Sequence, residues 1–201
     1  VKELRAALGK KKIISFAAGG FQSFLDSSVN WYALQPYLDF VNLMSYDLVS
    51  GFATVTGHQT PLYSNGKTIE SVDNAIRFFK KINFPLKKIN IGSAFYTRNF
   101  VAVENVNKGL YQPAKFKSMY GYKQAQEMHT KEKGFIRYWD DATKSAYWYN
   151  AKTKTFATGD DAASIQEKCA YIKKNKLGGF MFWELQLDTP TNFLLENVLL
   201  P

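Results

Sequence analysis

Three short segments carry residues whose types and spacing would support chemistry on a shared surface. Residues 178 to 188 read Gly-Gly-Phe-Met-Phe-Trp-Glu-Leu-Gln-Leu-Asp, an apolar strand pattern that ends on Trp183. Residues 39 to 47 read Asp-Phe-Val-Asn-Leu-Met-Ser-Tyr-Asp and set Tyr46 and Asp47 directly after an apolar run. Residues 88 to 98 read Lys-Ile-Asn-Ile-Gly-Ser-Ala-Phe-Tyr-Thr-Arg and set Tyr96 and Arg98 in the same relative place. A parallel barrel strand delivers its functional side chains at its C-terminal end, where an indole forms a flat apolar floor for a ring-shaped ligand. One exposed indole, two phenols, a carboxylate and a fork of guanidinium donors suit a neutral, polyhydroxylated ligand with amide substituents. Each residue also has a plainer role, with Tyr46 and Asp47 ending a strand, Trp183 filling a core and Arg98 pairing with a neighbouring acid.

The elements that must position these residues follow from periodicity. Continuous apolar runs at Ile13 to Ala18, Phe40 to Met44, Ile89 to Phe95 and 178 to 183 read as buried strands. Ile69, Val72, Ile76, Phe79 and Ile82 recur at spacings of three and four, with Thr68 as the expected N-cap, Lys80 and Lys81 in the last turn and Pro85 beyond. Ala162, Ile165, Cys169 and Ile172 form a second helix face behind an Asp160 or Asp161 cap, with Gly178 and Gly179 as its terminators, and a final helix is expected over 191 to 199. Residues 102 to 159 differ in texture, and Phe135 to Asp140 with Ala146 to Asn150 read as an antiparallel hairpin around a turn. Trp139 or Trp148 is the candidate there for a second exposed ring.

Strands alternating with helices define an α/β fold, either a small doubly wound sheet or half of a closed barrel. A doubly wound sheet would place a glycine-rich phosphate turn after its first strand. Gly19-Gly20-Phe21 has neither the glycine spacing nor a helix expected directly behind it, so the second half of a TIM (β/α)8 barrel with an inserted α+β module is the preferred reading. Its parts are residues 1–101 and 160–201 for the half barrel, strands five to eight, and 102–159 for the insertion.

The 201 residues are 46% hydrophobic and 21% charged, an ordinary globular balance. A net charge of +9 raises the question of nucleic acid. The lysines are dispersed in small groups at expected helix ends and turns, which argues for solvated faces and against such a partner. No apolar run approaches the roughly 20 residues of a membrane span, and no signal peptide opens the chain. The start at Val1, within an amphipathic helix that Gly9 closes, suggests a piece of something longer. Cys169 is a single core thiol, and His58 and His129 lie too far apart in sequence to suggest a metal site.

Taken in order, Met44-Ser-Tyr46-Asp47, Phe95-Tyr96-Thr-Arg98 and Gly178-Gly-Phe-Met181-Phe-Trp183-Glu resemble the sixth, seventh and eighth strands of chitinases of glycoside hydrolase family 18. Residues 56 to 63 are similar to the loop after their sixth strand, and 102–159 to their chitinase insertion domain. The resemblance implies hydrolysis of β-1,4-linked N-acetylglucosamine polymers, chitin or its oligosaccharides, without metal or cofactor. It implies substrate-assisted retaining catalysis, in which the sugar's own acetamido carbonyl attacks the anomeric carbon, an exception to the scheme of two protein carboxylates. By position, Tyr46 would hold the acetamido group and Asp47 would bond the sugar or neighbouring polar groups. Met44, Tyr96, Arg98 and Trp183 would line the substrate site, with Asp140 and Tyr147 contributing from the insertion.

The family's acid sits in an Asp-x-x-Asp-x-Asp-x-Glu run at the end of the fourth strand, and that run does not occur in these residues. The resemblance therefore implies a missing N-terminal half of the barrel as partner, no turnover by this chain alone, and a secreted, periplasmic or cell-surface parent. Two rival readings are a chitinase-like lectin without an acid and an endo-β-N-acetylglucosaminidase.

Overall fold

A computed structural model describes residues 1–191 and 193–199. Positions 192, 200 and 201, which fall within the range assigned to the half barrel, lie outside the described residues. The chain runs through α1 (Lys2–Leu8), β1 (Ser15–Gly19), α2 (Gln22–Ser27), α3 (Trp31–Leu34), β2 (Phe40–Met44), α4 (Val72–Lys81) and β3 (Ile89–Ala94). It continues through β4 (Tyr96–Val101), β5 (Lys115–Gly121), α5 (Tyr122–Met128), β6 (Ile136–Asp140), β7 (Ser145–Asn150) and β8 (Thr155–Gly159). It ends with α6 (Ala162–Asn175), β9 (Gly179–Trp183) and α7 (Phe193–Leu199).

The four expected apolar runs form one parallel sheet in the order β1-β2-β3-β9. Successive side chains of a strand point to opposite faces, and here the two faces differ sharply. Val41, Leu43, Ile89 and Ile91 are fully buried beneath the helices, in a core shared with Ile76 and Phe79 of α4. Trp31 anchors that core edge-on to Phe79, with ring centroids 4.8 Å apart, and its indole N–H donates to the Leu25 carbonyl at 2.8 Å. The opposite face is layered. Ala17, Asn42, Asn90 and Gly179 lie in register across all four strands, and Asn90 Nδ2 donates to Asn42 Oδ1 at 2.9 Å. One step along, Gly19 pairs with Met44 and Gly92 with Met181. This second face is only partly covered: Met44 and Met181 are half-buried, and Phe40 and Trp183 are exposed.

Several local expectations are corrected. Helix α4 starts at Val72, capped by Ser71, whose hydroxyl accepts from Asn74 N at 3.0 Å. Thr68 belongs instead to a turn closed by Asn65 Oδ1, which takes the Lys67 and Thr68 amides, and this leaves Ile69 outside the helix and exposed. A helix does follow Gly19-Gly20-Phe21. The first amide of α2, Gln22 N, already donates to the Glu70 carboxylate at 3.0 and 3.2 Å, so the turn serves an internal acid. Asp161 caps α6 in a reciprocal pair with Ser164. The helix is ended by Lys176 in the left-handed region, not by glycine. Gly178 serves close packing, because a Cβ there would lie 2.7 Å from the Lys87 carbonyl.

The second sheet is antiparallel, in the order β5-β4-β8-β7-β6, and includes the expected hairpin as β6 and β7. It begins at Tyr96, so that β4 lies within residues 1–101. Only Phe95 separates β3 from β4, and the junction itself, Ala94-Phe95-Tyr96, contains no turn residue to betray the change of sheet. Phe95 is fully buried and stacks on Phe182 with centroids 4.4 Å apart. Trp148 proves buried, while Trp139 is half-buried with Arg137 over its ring.

Behind Trp148 lies His129, near-parallel to the indole at 5.7 Å and 4.9 Å from Phe135. Its Nε2 meets Asn99 Oδ1 at 2.8 Å, while Nδ1 is buried without a partner. Burial lowers its pKa from 6.5 to about 4, holding the ring neutral. An unfolded chain takes up this proton below about 6.5 and the folded one only below about 4. The stability associated with the neutral ring is complete above that window and falls as pH drops through it, by up to about 3 kcal/mol. Urea unfolding between pH 7 and 4 should show this decline in the wild type and a shallower one in His129→Gln. Identical slopes would remove His129 from the acid response.

Candidate functional site

At the C-terminal end of the parallel sheet, two tyrosines meet edge to face. Tyr46 follows β2 and Tyr96 opens β4, and their rings lie 6.3 Å apart at 83°. Both are buried, at 8% and 4% exposure, against Ala94, Met44, Met181 and Leu187. The Tyr46 hydroxyl points toward Met181 Sδ at 4.0 Å. Gly92 makes room for the ring, because a Cβ there would stand 2.8 Å from Tyr46 Cε1 and 2.6 Å from the Leu43 carbonyl. Burial and the Asp47 charge push the Tyr46 phenol up to about 12, and the same two causes raise Tyr96. Both phenols therefore stay protonated near neutrality and keep a donor each.

Asp47 stands in the left-handed region, with φ 57°. Its carboxylate is gripped by Arg98 through two parallel bonds, Nε to Oδ1 at 2.8 Å and Nη2 to Oδ2 at 2.7 Å. This fork geometry is the strong form of a charged pair, and the bond to Asp47 raises the Arg98 pKa further. The guanidinium also lies over the Tyr96 and Phe116 rings, at 5.4 and 5.7 Å. Trp183 ends β9 as the register partner of Ala94 and is 55% exposed. Met44, Tyr46, Asp47, Tyr96 and Arg98 are thus drawn together, and Trp183 borders them.

Two features of this arrangement differ from expectation. Arg98 comes from β4 of the antiparallel sheet, so the Asp47 pair spans two sheets instead of joining two barrel strands. Asp140 and Tyr147 gather around His58, a residue to which the sequence assigned no partner. His58 Nε2 lies 2.9 Å from Asp140 Oδ2, and Tyr147 packs 5.7 Å from the imidazole, between Tyr138 and Phe156. The His58 hydrogen bond lowers the Asp140 pKa, while burial pushes Tyr147 up to about 12. His58 thus has an acidic companion 82 residues away in sequence. Of the acids after β9, Asp188 is occupied with the amides of Leu194 and Leu195 in α7, at 3.1 and 3.0 Å. Glu184 bonds Gln186.

Sequence reasoning passed over Gln59, Thr60 and Lys168 and gave Asp160 only a capping role; all four are buried beside the site. Gln59 Nε2 donates to the Tyr96 carbonyl at 2.8 Å and the Thr158 carbonyl at 3.0 Å, while the Gln59 backbone carbonyl accepts from Leu48 N at 2.9 Å. One signal was available. Lys168 stands three residues after Ile165, squarely in the apolar stripe of α6, where an unpaired lysine would be costly.

The family description Glycosyl hydrolases family 18 matches residues 1–188. Chitinase A1 of Niallia circulans is 30% identical over 208 aligned residues, covering 95% of this chain and 29% of that protein. The oviduct-specific glycoprotein of Mus musculus is 29% identical over 187, covering 88% and 25%. Among solved structures, a glycoside hydrolase family 18 N-acetylglucosaminidase from Paenibacillus barengoltzii superposes with a TM-score of 0.87 at 36% identity, covering 98% of this chain and 58% of that one. The chain belongs to glycoside hydrolase family 18. It spans under a third of the length of the two curated relatives and 58% of that solved chain.

Gly92→Ala forces either the Leu43 carbonyl or the Tyr46 ring to move, and should cost about 1–3 kcal/mol of stability. Gly66→Ala, where a Cβ meets nothing within 4 Å, should stay within about 0.5 kcal/mol. Urea midpoints of the two variants check this, and equal midpoints would show that Gly92 does not seat Tyr46.

Proposed function

We propose that this chain is the C-terminal half of a (β/α)8 glycosidase acting on β-1,4-linked N-acetylglucosamine polymers by substrate-assisted, retaining chemistry. The carrying observation is the convergence of Tyr46, Tyr96 and the Asp47–Arg98 pair at one end of the parallel sheet, with Trp183 exposed beside them. Family membership and the half-open layered face of the sheet support the same reading. Strands β1 and β9 are the outer strands of that sheet, and the missing strands one to four would pair there and cover Met44, Met181 and Phe40.

In this reading Trp183 forms the floor under the sugar, with Met44 packing beneath and Tyr96 and Arg98 forming the wall. The protonated Tyr46 donates to the acetamido oxygen and holds it below the anomeric carbon, a contribution of proximity. Asp47, fixed by Arg98, keeps free lone pairs for the sugar or its amide N–H. Asp140 and Tyr147 shape the insertion side of the cleft through His58. The acid that protonates the leaving oxygen belongs to the absent half, so this chain alone is inactive. A polymeric substrate favours an exported parent. Among the described residues no helix is long and apolar enough to cross a membrane.

A binding-only reading has one observation in its favour, the similarity to an oviduct glycoprotein whose name states no hydrolase. Assay of the complete protein on a chitobioside separates the two, since a lectin would bind without turnover. Trp183→Ala in that protein should weaken chito-oligosaccharide binding by about 1–3 kcal/mol through lost stacking, measured by titration calorimetry. Unchanged affinity would take Trp183 out of the site. Tyr46→Phe should lower kcat far more than it changes KM, and equal turnover numbers would deny the phenol its positioning role.

A further inference from the structure

Behind the two tyrosines lies a buried polar cluster built around an ion pair. Lys168 and Asp160 are 0% and 1% exposed, a placement that charged residues adopt only when paired and fully hydrogen-bonded. Lys168 Nζ donates to Asp160 Oδ1 at 2.8 Å, to Asp160 Oδ2 at 2.6 Å and to Thr60 Oγ1 at 2.5 Å. Asp160 also accepts from Ser93 Oγ at 2.5 Å, Ala94 N at 3.2 Å and Ser164 Oγ at 2.7 Å. The Thr60 hydroxyl lies 3.2 Å from both the Ser45 carbonyl and Asp160 Oδ2, so its single proton is shared between them.

The places of these partners in the chain give the cluster its meaning. Ser45 immediately precedes Tyr46, and Ala94 stands two residues before Tyr96. Asp160 directly follows β8, whose Thr158 and Gly159 pair with Arg98 and Thr97. A single ion pair therefore touches the segment that presents Tyr96, adjoins the end of β8, and reaches the Tyr46 segment through Thr60. A buried pair gives little net stability over apolar residues of the same volume. Stability alone is a weak reason to place a lysine in the apolar stripe of α6.

We propose that the Lys168–Asp160 pair is a positioning element for Tyr46 and Tyr96, acting through Thr60 and the Ser45 carbonyl on one side and the Ala94 amide on the other. Its catalytic consequence rests on the function proposed above. The positioning itself does not. Neither charged group touches substrate. The pair fixes where the Tyr46 hydroxyl stands relative to the acetamide, and a displacement of about 1 Å at such a group costs on the order of 100-fold in rate.

Two variants of the complete protein test this. Thr60→Val removes the shared proton, and with it the acceptor of one Lys168 N–H, at nearly constant volume and leaves both charges in place. Lys168→Met with Asp160→Asn removes both charges together, which avoids stranding one of them. Turnover and KM on chito-oligosaccharides are read beside the thermal midpoint and the 13Cζ-tyrosine resonances of Tyr46 and Tyr96, assigned with Tyr46→Phe and Tyr96→Phe. The expected result is a kcat lowered roughly 10- to 100-fold with KM within about twofold, and displacement of both resonances. A lowered midpoint with unmoved resonances and unchanged kcat would overturn the proposal and leave the pair a purely stabilising one. If the double variant does not fold, Thr60→Val decides alone. A wild type without turnover strikes down the proposed function, and the tyrosine resonances then still decide the positioning.

Discussion

One residue, Phe95, separates the end of β3 from the start of β4, and the site depends on that brevity. With no loop between them, the parallel and antiparallel sheets must diverge at a single buried ring, held on both sides by backbone bonds to Trp183 and Tyr122. The side chains just past the junction, Tyr96 and Arg98, are thereby carried over the end of the parallel sheet onto Tyr46 and Asp47. The Asp47–Arg98 fork is the product of this divergence, since the acid comes from one sheet and the base from the other. Two strands of a single sheet would present them side by side, without the crossing that lets the guanidinium also lie over the Tyr96 ring.

Such a junction brings polar backbone into the interior, and the molecule satisfies it with side chains. Gln59 takes the Tyr96 and Thr158 carbonyls, Thr60 approaches the Ser45 carbonyl, and Asp160 takes the Ala94 amide. Buried amides and carbonyls that found no partner would cost about 1–3 kcal/mol each. The polar residues around the junction are thus a consequence of joining two sheets over one residue.

The parallel sheet was legible in the sequence because its strands are continuous apolar runs bounded by helices whose faces repeat at three and four residues. Tyr46, Asp47, Tyr96, Arg98 and Trp183 were legible as a set because they stand just beyond such runs. The sheet change at Phe95 was not, because an aromatic and β-branched sequence reads alike in either sheet. Asp140 meeting His58 depends on how the chain folds back across 82 residues, which no local period encodes, whereas Lys168 meeting Asp160 lies within two turns of α6 and was overlooked although the helix period contains it. The cap at Ser71 was missed for a smaller reason: Thr68 and Ser71 are equally good capping residues, and the turn made by Asn65 decides between them.

Strands β4 and β8 are hydrogen-bonded neighbours, with Thr97 facing Gly159. The chain between these strands therefore leaves and returns across a single rung of one ladder. For a chain still folding, closing this ladder draws the ends of the excursion together, so that β9 searches for β3 across a much shorter effective loop than the sequence separation suggests. The entropy of ring closure grows with the length of free chain, so early formation of the antiparallel sheet lowers the barrier to completing the parallel one. Because entry and exit stand side by side, the length of chain between β4 and β8 sets no distance that β9 must span to reach β3.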